Sequence, residues 1–237
     1  MGIFVGTSGW AYSSWKPDFY PPKLPSKKFL EYYATQLNSV EVNYTFRQLP
    51  SQSTLEGWLA ATGPTFAFSF KAPQRITHFA RLKNCSDALE AFYTSLAPVK
   101  QAQRLGVLLF QLPPNFKANP ELLDEFLGTA SRKDLRLAFE FRHESWFDDG
   151  IFGILKQHQA ALCVAESDGL ESPDVVTAPF RCYRLRKSEY SPQDLSKIVS
   201  TMQERSKSGD VFVYFKHEET PAGAINAAAV LRQLGAD

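Results

Sequence analysis

The sequence predicts a closed (β/α)8 barrel of the TIM type, and two features of the chain indicate this fold. Short runs rich in β-branched and aromatic residues alternate with longer segments of helical periodicity along the 237 residues, a pattern typical of repeated β-α units around a parallel sheet. Several predicted strands also end in polar residues, and in a barrel all strand ends converge on one mouth. Because no linker, internal repeat or low-complexity stretch divides the chain, we expect one barrel domain over residues 1–237.

Eight strands and seven helices are predicted. The strands lie near residues 3–8, 38–43, 66–71, 105–111, 136–142, 160–166, 179–186 and 210–216. The helices lie near 26–37, 53–61, 86–103, 119–131, 148–158, 191–207 and 222–235. The segment from Asp168 to Ala178 contains Gly169 and Pro173 and is short, so the sixth helix is expected to be degenerate. An open, doubly wound sheet is the alternative, but the first β-α turn lacks the GxGxxG phosphate fingerprint of that fold.

The composition limits the classes of partner. A formal net charge of +1 gives no global field that would attract nucleic acid or an acidic membrane. The three cysteines show no CxxC spacing, so neither a disulfide framework nor a zinc knuckle is indicated. No signal peptide precedes the first predicted strand, and no apolar run approaches the roughly 18 residues that span a bilayer. We therefore expect a cytoplasmic protein without a membrane or nucleic-acid partner.

Polar residues in three predicted strands identify the candidate site. Alternation in Ser39–Asn43, Ala67–Lys71 and Ala138–Arg142 puts large apolar residues on one face and polar residues on the other. The polar residues are Glu41, Asn43, Ser69, Lys71, Glu140 and Arg142, and the same parity in later strands adds Gln111, Glu166, Arg184, Arg186 and Lys216. A buried charge is costly unless it is paired or lies in a wet mouth. The mixture, slightly cationic, suits a small anionic or polar ligand.

These residues predict an enzyme that acts on a small anionic or sugar-like molecule without a metal or other cofactor. Glu41 and Glu140 are the candidate acid and base. Lys71 is the third catalytic candidate: it could form a Schiff base if desolvated, although an ion pair with Glu41 is favoured. The predicted ligand-binding residues are Ser8, Trp10, Asn43, His78, Gln111, Arg142, Trp146 and Arg184.

Two other functions stay open at this point. Glu41, Glu140 and Glu166 with a loop histidine could hold a metal, as in a nuclease-like or isomerase-like barrel, but the interleaved cations would compete for the same carboxylates. The charges could also form a structural ion-pair network in a non-catalytic ligand-binding scaffold. In the loop after the first strand, aromatic residues from Trp10 to Tyr20 either stack on a ligand or pack against the barrel rim.

Six ordered stretches of the chain match a known family. They are GTSGWAYSSWKPDFYP (6–21), VEVNYTFRQLPS (40–51), FSFKAPQRITH (68–78), LLFQLPPNF (108–116), LAFEFRHESW (137–146) and, more loosely, AGAINAAAVL (222–231). In them the chain resembles the YecE-like proteins, catalogued as domain of unknown function 72. The resemblance implies a single TIM-type barrel and supplies no reaction, because the activity of that family is unestablished.

The resemblance also marks individual positions. The family pattern falls on Gly6, Ser8, Trp10, Trp15, Glu41, Asn43, Phe46, Lys71, His78, Gln111, Pro113, Glu140, Arg142, Ser145 and Trp146. The chain departs from it after the last two strands. Arg184-Leu185-Arg186-Lys187 stands where the family tends to show Arg-Leu-His-Gly, and Phe215-Lys216-His217 stands where it tends to show Phe-Asn-Asn.

Overall fold

The computed structural model describes residues 2–166, 169–187, 189–216 and 220–235, and a parallel sheet of eight strands forms its centre. The strands are β1 (Ile3–Thr7), β2 (Ser39–Val42), β3 (Ala67–Lys71), β4 (Leu105–Gln111), β5 (Arg136–Glu140), β6 (Ala161–Ala165), β7 (Phe180–Leu185) and β8 (Asp210–Phe215). Their hydrogen-bonded order is β1-β8-β7-β6-β5-β4-β3-β2, with every pair parallel. The predicted barrel of parallel strands is confirmed.

Helices surround the sheet. They are α1 (Phe29–Gln36), α2 (Gln52–Ala60), α3 (Ser86–Ser95), α4 (Ala97–Gln101), α5 (Pro120–Ala130), α6 (Asp149–Gln157), α7 (Pro192–Ser206) and α8 (Ala222–Leu234). The single helix predicted over 86–103 is wrong: it is divided at Leu96, because Pro98 has no N–H and opens α4 instead of continuing α3. The described residues between β6 and β7 contain no helix, as predicted. Within the described ranges, no helix is both long enough and apolar enough to cross a membrane.

Side chains complete the barrel between β1 and β2, the two ends of the hydrogen-bonded order. The Asn38 amide accepts a hydrogen bond from Val5 N at 2.7 Å and donates one to Ile3 O at 2.9 Å. The Tyr33 hydroxyl accepts from Thr7 N at 2.8 Å and lies 3.0 Å from Ser39 O. A backbone bridge between Ser8 and Glu41 follows at the top. The β1–β2 seam is thus closed by side chains that replace strand-to-strand hydrogen bonds.

The barrel is filled, and only its upper end carries the polar cluster. The interior is built largely from small residues and a few rings: Ala67, Val107, Leu109, Ala138, Ala161, Cys163, Ala178, Phe180, Cys182, Phe212 and Tyr214. Above them, the Tyr214 hydroxyl lies 2.6 Å from Ser69 Oγ and 2.8 Å from Ser39 Oγ. These serines precede Lys71 and Glu41 by two residues on the same strands, so the charged groups form the next layer toward the mouth.

The closed seam makes Gly6 a sensitive position. A Cβ at Gly6 would lie 2.0 Å from Ser39 O, which is backbone and cannot move aside. We expect Gly6→Ala to lower the free energy of unfolding by about 1–3 kcal/mol, the usual cost of overpacking. The control is Gly57→Ala on α2, where nothing lies within 4 Å of the added carbon and helix propensity predicts a gain of about 0.5–1 kcal/mol. Urea unfolding measures the change in free energy for both variants. Equal changes would refute the close contact between β1 and β2 at Gly6.

Candidate functional site

One arginine joins the two predicted catalytic carboxylates. Arg184, near the end of β7, is fully buried, and its Nη2 donates to Glu41 Oε1 at 2.7 Å while its Nη1 donates to Glu140 Oε2. The Ser8 hydroxyl donates to the same Glu41 oxygen at 2.7 Å. Burial opposes the charge on Arg184, but Glu140 and Glu41 outweigh it and raise the pKa of the guanidinium. Arg184 therefore keeps its positive charge, and both of its terminal nitrogens bind carboxylates.

Glu140, at the end of β5, has the most donors around it. Besides Arg184 it accepts from Gln111 Nε2 at 2.8 Å and Arg186 Nη2 at 3.1 Å, and Arg142 Nε lies 3.5 Å away. Burial alone would raise the pKa of Glu140, but Arg184 and then Arg186 lower it to about 2. The carboxylate therefore stays ionised at neutral pH, so Glu140 has no proton to donate and is a weak base. Its surroundings argue for a role in holding cations rather than in proton transfer.

The end of β2 presents acceptor oxygens without partners. Glu41 is buried, and while its Oε1 binds Arg184 and Ser8, its Oε2 has no hydrogen-bond partner among the described residues. The side-chain oxygen of Asn43, two residues later, is also buried and without a described partner. Buried acceptors in folded proteins are nearly always satisfied. These two oxygens are thus placed to accept hydrogen bonds from a bound molecule.

Lys71, at the end of β3, differs from the other cations of the cluster. Its Nζ lies 4.0 Å from the centre of the Phe46 ring, and in the described part of the chain it forms no ion pair with a carboxylate. The predicted Lys71–Glu41 ion pair is wrong: Arg184 and Ser8 bind one oxygen of that carboxylate, and no described contact joins the other oxygen to Lys71. Burial, followed by the positive charge of Arg184, lowers the pKa of Lys71 to about 8. An appreciable fraction of neutral amine therefore exists close to neutral pH.

His78 reaches the same ring from the loop after β3. It lies in a π-helical turn, Arg75–Phe79, and its imidazole packs edge-on against Phe46 with centroids 5.0 Å apart. Its Nδ1 lies 2.9 Å from the Thr77 hydroxyl. Burial, then the charge of Lys71 and then that of Arg142, lowers the pKa of His78. The imidazole is therefore neutral at pH 7, and Phe46 is the contact shared by the lysine and the histidine.

Arg142 is the most accessible guanidinium of those that contact Glu140. Its side chain is 34% exposed, and its described contact with the cluster is the one from Nε to Glu140. No described residue binds its two terminal nitrogens, which can therefore face a ligand, whereas those of Arg184 are engaged by carboxylates.

Two aromatic residues that were predicted to bind ligand pack elsewhere. Trp146 is fully buried, stacks on Phe141 with centroids 4.6 Å apart and donates its indole N–H to Phe116 O at 2.6 Å. Trp10 is half-buried and packs edge-on against Trp58 of α2. Trp146 therefore offers no surface to a ligand and is left out of the candidate site. Most of the aromatic loop after β1 likewise packs against the barrel, since Trp15, Phe19 and Tyr20 are buried; this favours the packed alternative.

Glu166 also lies apart from the cluster. Its carboxylate accepts hydrogen bonds from the backbone N–H of Arg186 at 2.6 Å, from the backbone N–H of Lys187 at 3.1 Å and from the Tyr190 hydroxyl. It thus orients the loop between β7 and α7, and its predicted position beside Glu41 and Glu140 is wrong. Of the departures from the family pattern, Arg186 joins the cluster and Lys216 is close enough to lower the pKa of Lys71, while His217 lies outside the described residues.

The arrangement of carboxylates is unlike a metal centre. Across the described ranges, no group of three or more His, Cys, Asp and Glu side chains is placed to hold a metal ion. Glu41 and Glu140, the candidates for such a role, each face Arg184. The prediction of a metal-independent site stays a prediction.

The cluster predicts that Glu140 matters for stability. We expect Glu140→Gln to lower the free energy of unfolding by about 3–5 kcal/mol at pH 7, because it leaves buried Arg184 and Arg186 without their shared counter-ion. The pKa of Glu140 is lowered from 4.5 to about 2, so this stabilisation is complete above pH 4.5 and is lost as the pH falls toward 2. The wild type and the variant should therefore converge in acid. Exposed Glu144→Gln on the same rim is the control, and an equal effect of both variants in chemical denaturation would contradict the network.

Comparisons with known sequences and solved structures identify relatives of this chain. The YunF protein of Bacillus subtilis, described as UPF0759, is 32% identical over 151 residues, which is 61% of this chain and 52% of that protein. The YecE protein of Escherichia coli K12, also UPF0759, is 32% identical over 153 residues, covering 62% of this chain and 51% of that protein. The matches thus span about half the length of these relatives.

Two solved structures cover nearly the whole chain. A DUF72 family protein from Thermotoga maritima superposes with a TM-score of 0.87 at 27% identity, covering 99% of this chain and 100% of that one. A β-mannanase from the mussel Mytilus edulis superposes with a TM-score of 0.57 at 10% identity, over 99% of this chain and 92% of that one, which is a likeness of fold alone. The family model described as "Protein of unknown function DUF72" matches residues 4–237. The chain therefore belongs to the DUF72 family.

Proposed function

We propose that this protein is a metal-independent enzyme that acts on a small, hydroxylated anion bound at the carboxyl end of the barrel. The observation that carries the proposal is the imbalance of charge at the mouth. Among the described residues, Arg184, Arg186, Arg142 and Lys71 lie around two carboxylates, those of Glu41 and Glu140. A site with surplus cations attracts anions from solution.

Arg142 is the residue that would anchor the anion. Its terminal nitrogens are open, and a guanidinium fork matches the two oxygens of a carboxylate or the oxygens of a phosphate. Arg184 cannot take this part because both of its terminal nitrogens already bind carboxylates. Its role is to hold Glu41 and Glu140 in position beneath the bound ligand.

The acceptor oxygens on β2 favour a ligand that also carries hydroxyl groups. Glu41 Oε2 and the side-chain oxygen of Asn43 are buried acceptors without described partners, so they call for O–H or N–H donors. An anion held by Arg142 that also presents hydroxyl groups to β2 would satisfy both kinds of group. Small sugar acids, sugar phosphates and hydroxy acids have this chemistry.

Glycoside hydrolysis is a second reaction class, and the electrostatics argue against it. That reaction needs one carboxyl group that is protonated near neutral pH, in addition to a second carboxylate. Glu140 has a pKa of about 2 and is held by three cations, so it cannot donate a proton to a leaving group. Lys71, in contrast, has a pKa of about 8, so its proton equilibrium lies near physiological pH. We therefore assign the chemistry to the lysine amine and the anchoring to Arg142.

Anion binding is tested by thermal shift. We expect one or more of sulfate, phosphate, glycolate and gluconate to stabilise the wild type, by about 2.7 kcal/mol at a hundredfold excess over Kd. Arg142→Ala should abolish this gain, whereas Arg47→Ala, which changes an exposed arginine after β2, should retain it. Binding should also weaken as the pH rises through 8, because Lys71 then loses the positive charge that attracts the anion.

The competing account is a structural ion-pair network in a non-catalytic scaffold, with no free cation for a ligand. That account predicts that no anion stabilises the wild type more than it stabilises Arg142→Ala. This result would refute the proposed function.

A further inference from the structure

We infer that Lys71 is a nucleophile that forms an imine with its substrate, so that the bound molecule is a small anionic aldehyde or ketone. This inference rests on the proposed function, because it takes the anion site at Arg142 as given. It adds a carbonyl carbon to the substrate class and a covalent role to one named atom, Lys71 Nζ.

The surroundings of Lys71 Nζ are the first support. The described contact of this nitrogen is the face of Phe46 at 4.0 Å, and no described carboxylate pairs with it. A half-buried lysine that serves structure would be expected to pair with an acidic side chain. An aromatic face holds the amine in place electrostatically and takes no proton from it. The nitrogen is thus positioned without a described carboxylate that would stabilise its protonated form, which favours the neutral amine that a nucleophile requires.

The disposition of the neighbouring charges is the second support. Arg184 binds both Glu41 and Glu140, no described carboxylate forms an ion pair with Lys71, and Arg184 places a permanent positive charge beside the lysine. A lysine amine is activated when it is desolvated or lies next to another cation. Both conditions hold here, and together they bring the pKa of Lys71 to about 8.

The chemical step needs no reagent beyond the protein and a carbonyl compound. The neutral Lys71 amine attacks the carbonyl carbon, a C–N bond forms, and the electron pair of the C=O double bond moves to the oxygen. A proton passes from nitrogen to that oxygen to give a carbinolamine, which then loses the oxygen as water and leaves the C=N bond. The sum is amine plus carbonyl giving imine plus water, with no oxidant or reductant.

Neighbouring groups suit this sequence. Arg142 would hold the carboxylate or phosphate of the substrate beside the reacting carbon, as proposed above. His78 packs against the same Phe46 ring as Lys71 and carries a neutral imidazole, so it can accept and return a proton. The acceptor oxygens of Glu41 and Asn43 would bind hydroxyl groups of the substrate.

Reductive trapping tests the inference directly. The wild type is incubated with cyanoborohydride and one of four probes: pyruvate, 3-hydroxypyruvate, glyceraldehyde 3-phosphate or uncharged dihydroxyacetone. We expect the anionic probes to add to Lys71, seen by peptide mass spectrometry as the probe mass less one oxygen atom. The carboxylate and phosphate probes together distinguish the two kinds of anion. Trapping should increase with pH through about 8, as the neutral amine forms.

Matched variants separate this reaction from general lysine chemistry. Lys71→Met should lose the adduct, and Lys71→Arg, which keeps the positive charge, should lose it too while guarding against a folding defect. Lys117→Met, which removes an exposed lysine after β4, should keep it. Arg142→Ala should slow trapping of the anionic probes at least tenfold and leave dihydroxyacetone unaffected.

The outcomes distinguish this inference from the proposed function. If an anion stabilises the wild type through Arg142 but every probe labels Lys71 no faster than Lys117, the imine is refuted and the anion site stands. If Lys71 is labelled selectively but no anion depends on Arg142, the imine stands without the proposed anion site.

Discussion

The bridge from Arg184 to Glu41 and Glu140 determines the character of this barrel mouth. It joins β7 to β2 and β5 across the barrel, and all three side chains are buried. Taking such charges out of water is costly, and the arrangement is tolerable only because hydrogen bonds satisfy most of their atoms. Ser8, Gln111 and Arg186 supply those bonds. A planar guanidinium with several fixed donors can face two carboxylates at once, which the single ammonium of a lysine does poorly.

The bridge also explains the state of Lys71. With both carboxylates engaged elsewhere, the lysine rests on Phe46 and carries a charge that the surroundings disfavour. A buried, uncompensated charge lowers stability, and such losses are typical of positions where activity is favoured over stability. The oxygens of Glu41 and Asn43 that have no described partner are a second case in which a polar group at the mouth lowers stability. The deeper layer formed by Tyr214, Ser39 and Ser69, in contrast, has its hydroxyl groups paired.

Strand periodicity predicted most of the charged residues that meet at the mouth. Because side chains alternate with a period of two, Glu41, Lys71, Glu140, Arg142 and Arg184 could be assigned to one face from sequence alone. Which cation pairs with which carboxylate could not be predicted, because several cations compete for Glu41 and Glu140. Only the three-dimensional geometry shows that Arg184, and not Lys71, binds them. Glu166 was misplaced because it follows β6 with the opposite parity to Cys163 and Ala165.

Packing on the rim and closure of the barrel were also beyond the sequence. A tryptophan in a polar loop can either stack on a ligand or pack in the core, and the sequence does not distinguish the two. The stacking of Trp146 on Phe141 shows that this residue packs in the core. The closure of β1 onto β2 through Asn38 and Tyr33 depends on contacts between side chains and backbone that periodicity does not encode. Resemblance to the family had marked Phe46, but its contact with both Lys71 and His78 became visible only in three dimensions.

The central claim is that Arg184 sequesters the carboxylates and leaves Lys71 as an unpaired amine, and NMR titration of the lysine side chains tests it most directly. The signal of Lys71 is assigned as the one missing from Lys71→Met, and its chemical shift is followed from pH 6 to pH 11. The account predicts a midpoint at about 8. A midpoint at or above the ordinary value of 10.5 would show that Lys71 is paired with a carboxylate, and would contradict it.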